Sequence, residues 1–345
     1  MAEPTTLNLF EQQAANRRKS RWLVAGFLLF FLWLGLGGDL ALFLYAQDFT
    51  DEAGRTVYQH RFPWIGTVLG VLALGLTLDV LRNGGKRVVK QVGAQPLVHP
   101  TSDQERQLMN VVEEMSVASG LPMPSVYIVP DPDPNAFVSG TKPGEAHLAV
   151  TSGLLELLNR DELQAVVAHE MGHVKNEDTK LMTLIAGLGG AILLIRDMML
   201  RTTFQSGRGG GGGSRREGKG GNPLALIVLV VWLLSWILAP IIVRLMAMAV
   251  SRSREYFADA MAAQFTRNPA SLAEALAKIE SHHAPTTTIS TGVAHLCIVD
   301  PTGRRANRKE GWFADLFATH PPMAIRVARL KAMAFQGTGR EKTAS

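Results

Sequence analysis

One cysteine, Cys297, in 345 residues excludes an intrachain disulfide framework and leaves no cysteine set for a zinc knuckle. Charge is scarce too: charged residues make up 19% and hydrophobic ones 47%, where an ordinary soluble domain has roughly 25% charged. The surplus of base over acid, 35 Lys and Arg against 30 Asp and Glu, is too small to argue for nucleic acid as a partner. Long apolar runs account for the missing charge, so the soluble part must fold with far fewer residues than the chain length suggests.

Residues 22–46 are interrupted only by Asp39 and follow Arg17, Arg18, Lys19 and Arg21. This run exceeds a signal-peptide core of about 7 to 15 residues and has the ~20 of a spanning helix. The reading is an N-terminal segment 1–21, a retained transmembrane helix at 22–47 and a second at 62–82. The connection 48–61 carries three acids and two arginines, whereas both outer flanks of the pair are basic. That asymmetry places the N-terminus and everything after Arg82 in the cytoplasm. A third apolar helix, 181–200, is short enough to be a partial span, and a fourth crossing is expected over 223–250. Between them, 201–222 is rich in glycine and arginine and reads as a mobile loop. The basic charge of this loop opposes placing it outside.

The soluble parts, 96–180 and 251–336, are mainly helical with a small sheet. Helical spacing marks 104–119, ended by Gly120, and β-branched runs mark strands at 125–129, 136–139 and 147–151. Asn159, with Glu162 three residues on, opens a helix over 160–176. Further helices are expected at 269–281 and 323–335, and 337–345 reads as a disordered tail.

The helix at 160–176 carries His169, Glu170, Met171, Gly172 and His173, an H-E-x-x-H pattern. A separation of four residues stacks both imidazoles on one face, where two nitrogens converge on one metal with Glu170 beside the open position. Gly172 in mid-helix suggests that another element passes close by. A catalytic zinc takes three protein ligands, and by spacing alone Glu255 is favoured over Asp259, Glu177 or His320 as the third. Asp259, one turn after Glu255, suits the far N–H of a ligand histidine. Arg252 and Arg326 read equally well as buried ions or surface charges, and His282, His283 and His295 have no recognisable partner spacing.

Taken together, His169 to His173, the segment from Arg252 to Asp259, Asn135-Ala136-Phe137 and His320-Pro321-Pro322 resemble the integral-membrane zinc metalloprotease family of bacterial HtpX and the eukaryotic CAAX prenyl proteases, HtpX being the nearer branch. The resemblance runs from about residue 20 to 335. It implies an α+β, mainly helical zincin domain of gluzincin type fused to about four transmembrane helices. It also implies one zinc ion per chain on His169, His173 and Glu255, with Asp259 behind them. Glu170 would be the catalytic base, His320 would lie near the oxyanion, and Asn135, Ala136 and Phe137 would hold the substrate main chain.

The function so implied is an endopeptidase of the bacterial cytoplasmic membrane that removes damaged or misfolded membrane proteins, with its active site on the cytoplasmic side. Its expected partners are polypeptide substrates and the lipid bilayer, with self-association left open and nucleic acid not expected. A prenyl-type peptidase is the alternative within the class, and a noncatalytic zinc-containing membrane scaffold the alternative outside it.

Overall fold

In the computed structural model the described residues are 8–46, 62–206, 223–248, 253–282, 286, 288–289, 292–299, 301 and 321–343. The elements in chain order are α1 (Leu9–Ala46), α2 (Trp64–Gln91), β1 (Gln95–Pro96), α3 (Asp103–Ser119), β2 (Ser125–Val129), β3 (Ala136–Ser139), β4 (His147–Thr151), α4 (Ser152–Leu157), α5 (Arg160–Lys175), α6 (Asp178–Ser206), α7 (Pro223–Met248), α8 (Ser253–Thr266), α9 (Pro269–Ser281) and α10 (Met323–Thr343). They form two compact units, one of Met1–Ser20, Val80–Gly187 and Met246–Ser345, the other of Arg21–Asp79 and Leu188–Leu245.

The second unit is built from apolar helix. Leu29, Leu36, Val68, Val71, Leu226 and Ile237 are all exposed, which suits a surface that meets lipid tails instead of water. Among the described residues three helices are long and apolar enough to cross a membrane, Leu9–Leu44, Trp64–Gln91 and Asp178–Asp197, while the apolar stretch Leu226–Ala239 of α7 is shorter. The third run, expected to be marginal, therefore gains length from its polar ends at Asp178 and Asp197. Within this unit Asp39 accepts hydrogen bonds from Ile65 N at 3.0 Å and Gly66 N at 2.7 Å. Those amides lie in the first turn of α2 and have no partner inside their own helix. The two helices approach so closely here that a Cβ on Gly35 would sit 2.5 Å from Gly66 Cα.

The first unit has an aqueous-type core. Ser102 and Glu105 form a reciprocal cap at the start of α3, and Gly120 ends it at φ 68°, a conformation glycine adopts without strain. Leu108, Val111, Val112 and Met115 are the buried stripe that results. The sheet runs β1-β2-β4-β3, with β2 and β4 parallel and the other pairs antiparallel. β3 is thus an edge strand. Asn159 and Glu162 cap α5 reciprocally, and α5 then buries Leu163, Val166, Val167 and Met171 in the core that α3, α9 and α10 share.

One boundary differs from expectation, and another gains detail. Residues 9–20, ahead of the first span, are helical and form the opening turns of α1, and they belong to the first unit. Helix α10 continues to Thr343, through most of the residues read as a tail. Extending an established helix is far easier than nucleating one, even across Gly337 and Gly339. The glycine-rich run, from residue 207 to 222, lies outside the described residues.

Candidate metal centre

Helix α5 presents His169 and His173 from successive turns, with their Nε2 atoms 3.2 Å apart. Helix α8 supplies Glu255, whose carboxylate oxygens lie 3.7 Å from His169 Nε2 and 3.7 Å from His173 Nε2. The three ligand atoms all fall within 4.8 Å of one another, and all three residues are buried. Gly172 is what lets α5 and α8 meet. A Cβ there would lie 3.2 Å from both Ala258 Cα and Ala258 O, so a larger residue would lever the two ligand-bearing helices apart.

Each histidine is held from behind by a carboxylate. His169 Nδ1 is 3.0 Å from Asp259 Oδ1, and His173 Nδ1 is 3.1 Å from both oxygens of Asp178. Such partners fix the ring and tautomer so that Nε2 faces the metal. Arg326 lies behind Asp259, fully buried, donating from Nε at 2.9 Å and from Nη2 at 2.7 Å. Its Nη1 lies 3.3 Å from Glu255 Oε2. Burial opposes charge on both partners, yet the Arg326 guanidinium and the His169 hydrogen bond bring the Asp259 carboxyl down to about 2.

Glu170 is only 1% exposed, and among the described residues neither carboxylate oxygen has a hydrogen-bond partner. A buried carboxylate in that condition is costly unless something else satisfies it. Burial raises its carboxyl above the ordinary value, offset in part by His173 and His169. Two imidazoles and a carboxylate converging on one point, beside an unsatisfied acid, form the donor set and the open position that a catalytic zinc uses. The residues present therefore fit zinc.

Helical spacing points to Asp259, leaves Arg326 open between a buried and a surface role, and gives no sign of Asp178. Asp178 follows His173 by five residues and lies beyond the end of α5, so helical spacing does not reach it. Asn135 is buried with its amide donating to Val299 O at 2.8 Å and its Oδ1 accepting from Ala136 N at 3.1 Å. Ala136 O accepts from Ile298 N at 2.9 Å, and Phe137 is packed in the core with Ala149 and Leu296. Val138, two residues on from Ala136, turns its main chain to the same outer side of β3. His295 is buried, with Nε2 3.2 Å from Met182 O, and His282 is exposed. His320, Arg252 and His283 lie outside the described residues. Glu177, one of the other candidate ligands, pairs with Arg17 at 2.8 Å.

Residues 102–334 match peptidase family M48. A protein named Protease HtpX homolog from Caldanaerobacter subterraneus subsp. tengcongensis is 38% identical over 331 residues, covering 95% of this chain and 99% of that one. Another of that name, from Tropheryma whipplei strain TW08/27, is 45% identical over 266 residues, covering 77% of this chain and 84% of that one. Among solved structures, that of S. mikatae Ste24p aligns with a TM-score of 0.42 and 17% identity, covering 90% of this chain and 66% of that one.

Proposed function

Because the chain belongs to peptidase family M48, we propose that this membrane metalloprotease uses Glu170 to hydrolyse peptide bonds of damaged or misfolded membrane proteins at the cytoplasmic face of the bacterial cytoplasmic membrane. The relatives named as HtpX protease homologs support a general endopeptidase, and the basic flanks of the first helix pair support the orientation. The observation that carries the reading is the buried carboxylate of Glu170, without a hydrogen-bond partner among the described residues, beside His169, His173 and Glu255.

His169, His173 and Glu255 would hold one zinc ion, which when bound polarises the scissile carbonyl and acidifies a water. Glu170 takes the proton from the attacking water and returns it to the departing amine nitrogen. A carboxyl raised by burial suits that exchange, since a base works best when its affinity for the proton matches the working pH. Asp259 and Asp178 each face an imidazole Nδ1, holding the proton on that nitrogen so that Nε2 is left as the donor atom, and steady the orientation of both rings. The outer edge of β3 is engaged at Ala136 by Ile298, so Val138 is the position at which an extended substrate would pair. Asn135, through Val299, shapes that edge. His320 keeps its proposed role of stabilising charge on the tetrahedral oxygen.

Substituting Glu170→Gln tests this directly. The variant is expected to retain zinc and to lose hydrolysis of an unfolded protein substrate by at least about a hundredfold. Full activity with zinc in place would remove Glu170 as the base, and stoichiometric zinc in Glu255→Ala would overturn the ligand set.

A further inference from the structure

The α5–α6 elbow is tied residue by residue to one face of α1. Gln13 Nε2 donates to Lys175 O at 2.7 Å and Asn16 Nδ2 to Asn176 O at 3.0 Å. Arg17 Nη1 pairs with Glu177 Oε1 at 2.8 Å. Positions 12, 13, 16 and 17 share a helix face, and Gln12 completes it, its Oε1 accepting from Asn176 Nδ2 at 3.3 Å. The two carbonyls so capped stand at the end of α5, where a helix leaves them without an internal partner.

This elbow is also the route to a metal ligand. Asn176 Nδ2 is 3.2 Å from Asp178 Oδ2, and Asp178 meets His173 Nδ1 with both oxygens at 3.1 Å. Asn16, Asn176, Asp178 and His173 are all at least nine-tenths buried. Between Asn176 and Asp178 the chain turns through Glu177 at φ 56°, a left-handed conformation that a non-glycine residue keeps only where its surroundings enforce it. Asp178 lies outside α5, so its alignment with His173 depends on how that turn is held.

We propose that Gln12, Gln13, Asn16 and Arg17 form a positioning element for the metal centre, fixing the elbow so that Asp178 orients the His173 ring. None of them belongs to the ligand set of His169, His173 and Glu255. The inference rests on the zinc reading above and extends the site's support to the opening turns of α1, which the sequence presents as no more than the basic approach to a membrane span.

The test is the rate at which the full-length protein in detergent releases zinc to a chelator. Asn16→Leu, which keeps the bulk and removes the donor, is expected to speed release by about tenfold, the lower end of what an outer partner of a ligand histidine contributes. In an Asp178→Asn background the same substitution is expected to add little, because the link it acts through is already weakened. A merely structural role would instead give the same factor in both backgrounds, and that result would overturn the proposal. Should Asn16→Leu not fold, the exposed Arg17→Ala replaces it, with an expected acceleration of roughly two- to fivefold, while Arg18→Ala on the exposed side is expected to match the wild type. Unchanged release in Arg17→Ala and Asn16→Leu would overturn the proposal alone, whereas a wild-type protein that holds no zinc would overturn the metal reading with it.

Discussion

Arg326 grips Asp259 at both carboxylate oxygens, and the gripped carboxylate lies 3.0 Å from the Nδ1 of His169. A fork of two parallel donors sets the plane of the carboxylate as well as its position, so the guanidinium orients a ligand ring that lies one residue beyond it. Arg326→Lys keeps the charge and loses the fork. It is expected to weaken zinc binding by about tenfold or more in a chelator competition. Arg326→Met leaves the buried Asp259 carboxylate with no cation gripping it and only His169 beside it, and is expected to destabilise the fold by about 3 to 5 kcal/mol in a denaturant titration.

Gly172 sets the separation of the two helices that carry the ligands. Gly172→Ala gains up to about 1 kcal/mol in helix propensity, but its methyl meets the Ala258 backbone at 3.2 Å. Gly172→Val has no such gain to draw on and is expected to lose about 1 to 3 kcal/mol from overpacking. Because α8 must shift to admit it, zinc affinity should fall along with the melting temperature, and both are measurable on the purified protein.

These two cases mark what the sequence reveals and what it does not. His169, His173 and Gly172 sit on one helix, where a period of 3.6 residues converts spacing into geometry, and the expected close approach at Gly172 is met by Ala258. Glu255 and Asp259 share a helix too, so their pairing with the motif helix is readable once the two helices are assumed to cross. Asp178 and Arg326 are different. The first reaches His173 around a turn and the second arrives from α10, 67 residues after Asp259, and no local pattern encodes either meeting. The β-branched runs make β2, β3 and β4 legible as segments, whereas the two-residue β1 has no pattern to read, and β1-β2-β4-β3 is an order that pairwise contacts set, not periodicity.

Asp39, the one interruption in the first apolar run, caps the first turn of α2. A carboxylate facing two amides at a helix N-terminus also benefits from the helix dipole. Asp39→Leu removes both acceptors and is expected to cost about 1 to 3 kcal/mol, seen as faster thermal inactivation in detergent. Asp39→Asn retains one good acceptor, so its loss should be the smaller of the two.

His147, on β4, is buried beside Tyr127 and carries an Nδ1 without a hydrogen-bond partner among the described residues. Burial and then the charge of Lys86 lower its pKa from 6.5. The unfolded chain therefore takes up a proton at a pH where the folded chain resists it. The stability this group contributes is whole above about 6.5 and is lost as the pH falls from there through the lowered folded value. Melting temperatures at pH 7.5 and 5.5 should differ less in His147→Gln than in the wild type.

The lone thiol of Cys297 lies fully enclosed next to Phe137, Val293 and Leu296, one residue before the main chain that bonds to Ala136. With no second sulfhydryl to compete, an alkylating reagent reports on that enclosure alone. The wild-type molecule thus carries its own gauge of how often the packing behind β3 comes apart, readable by mass spectrometry without a single substitution.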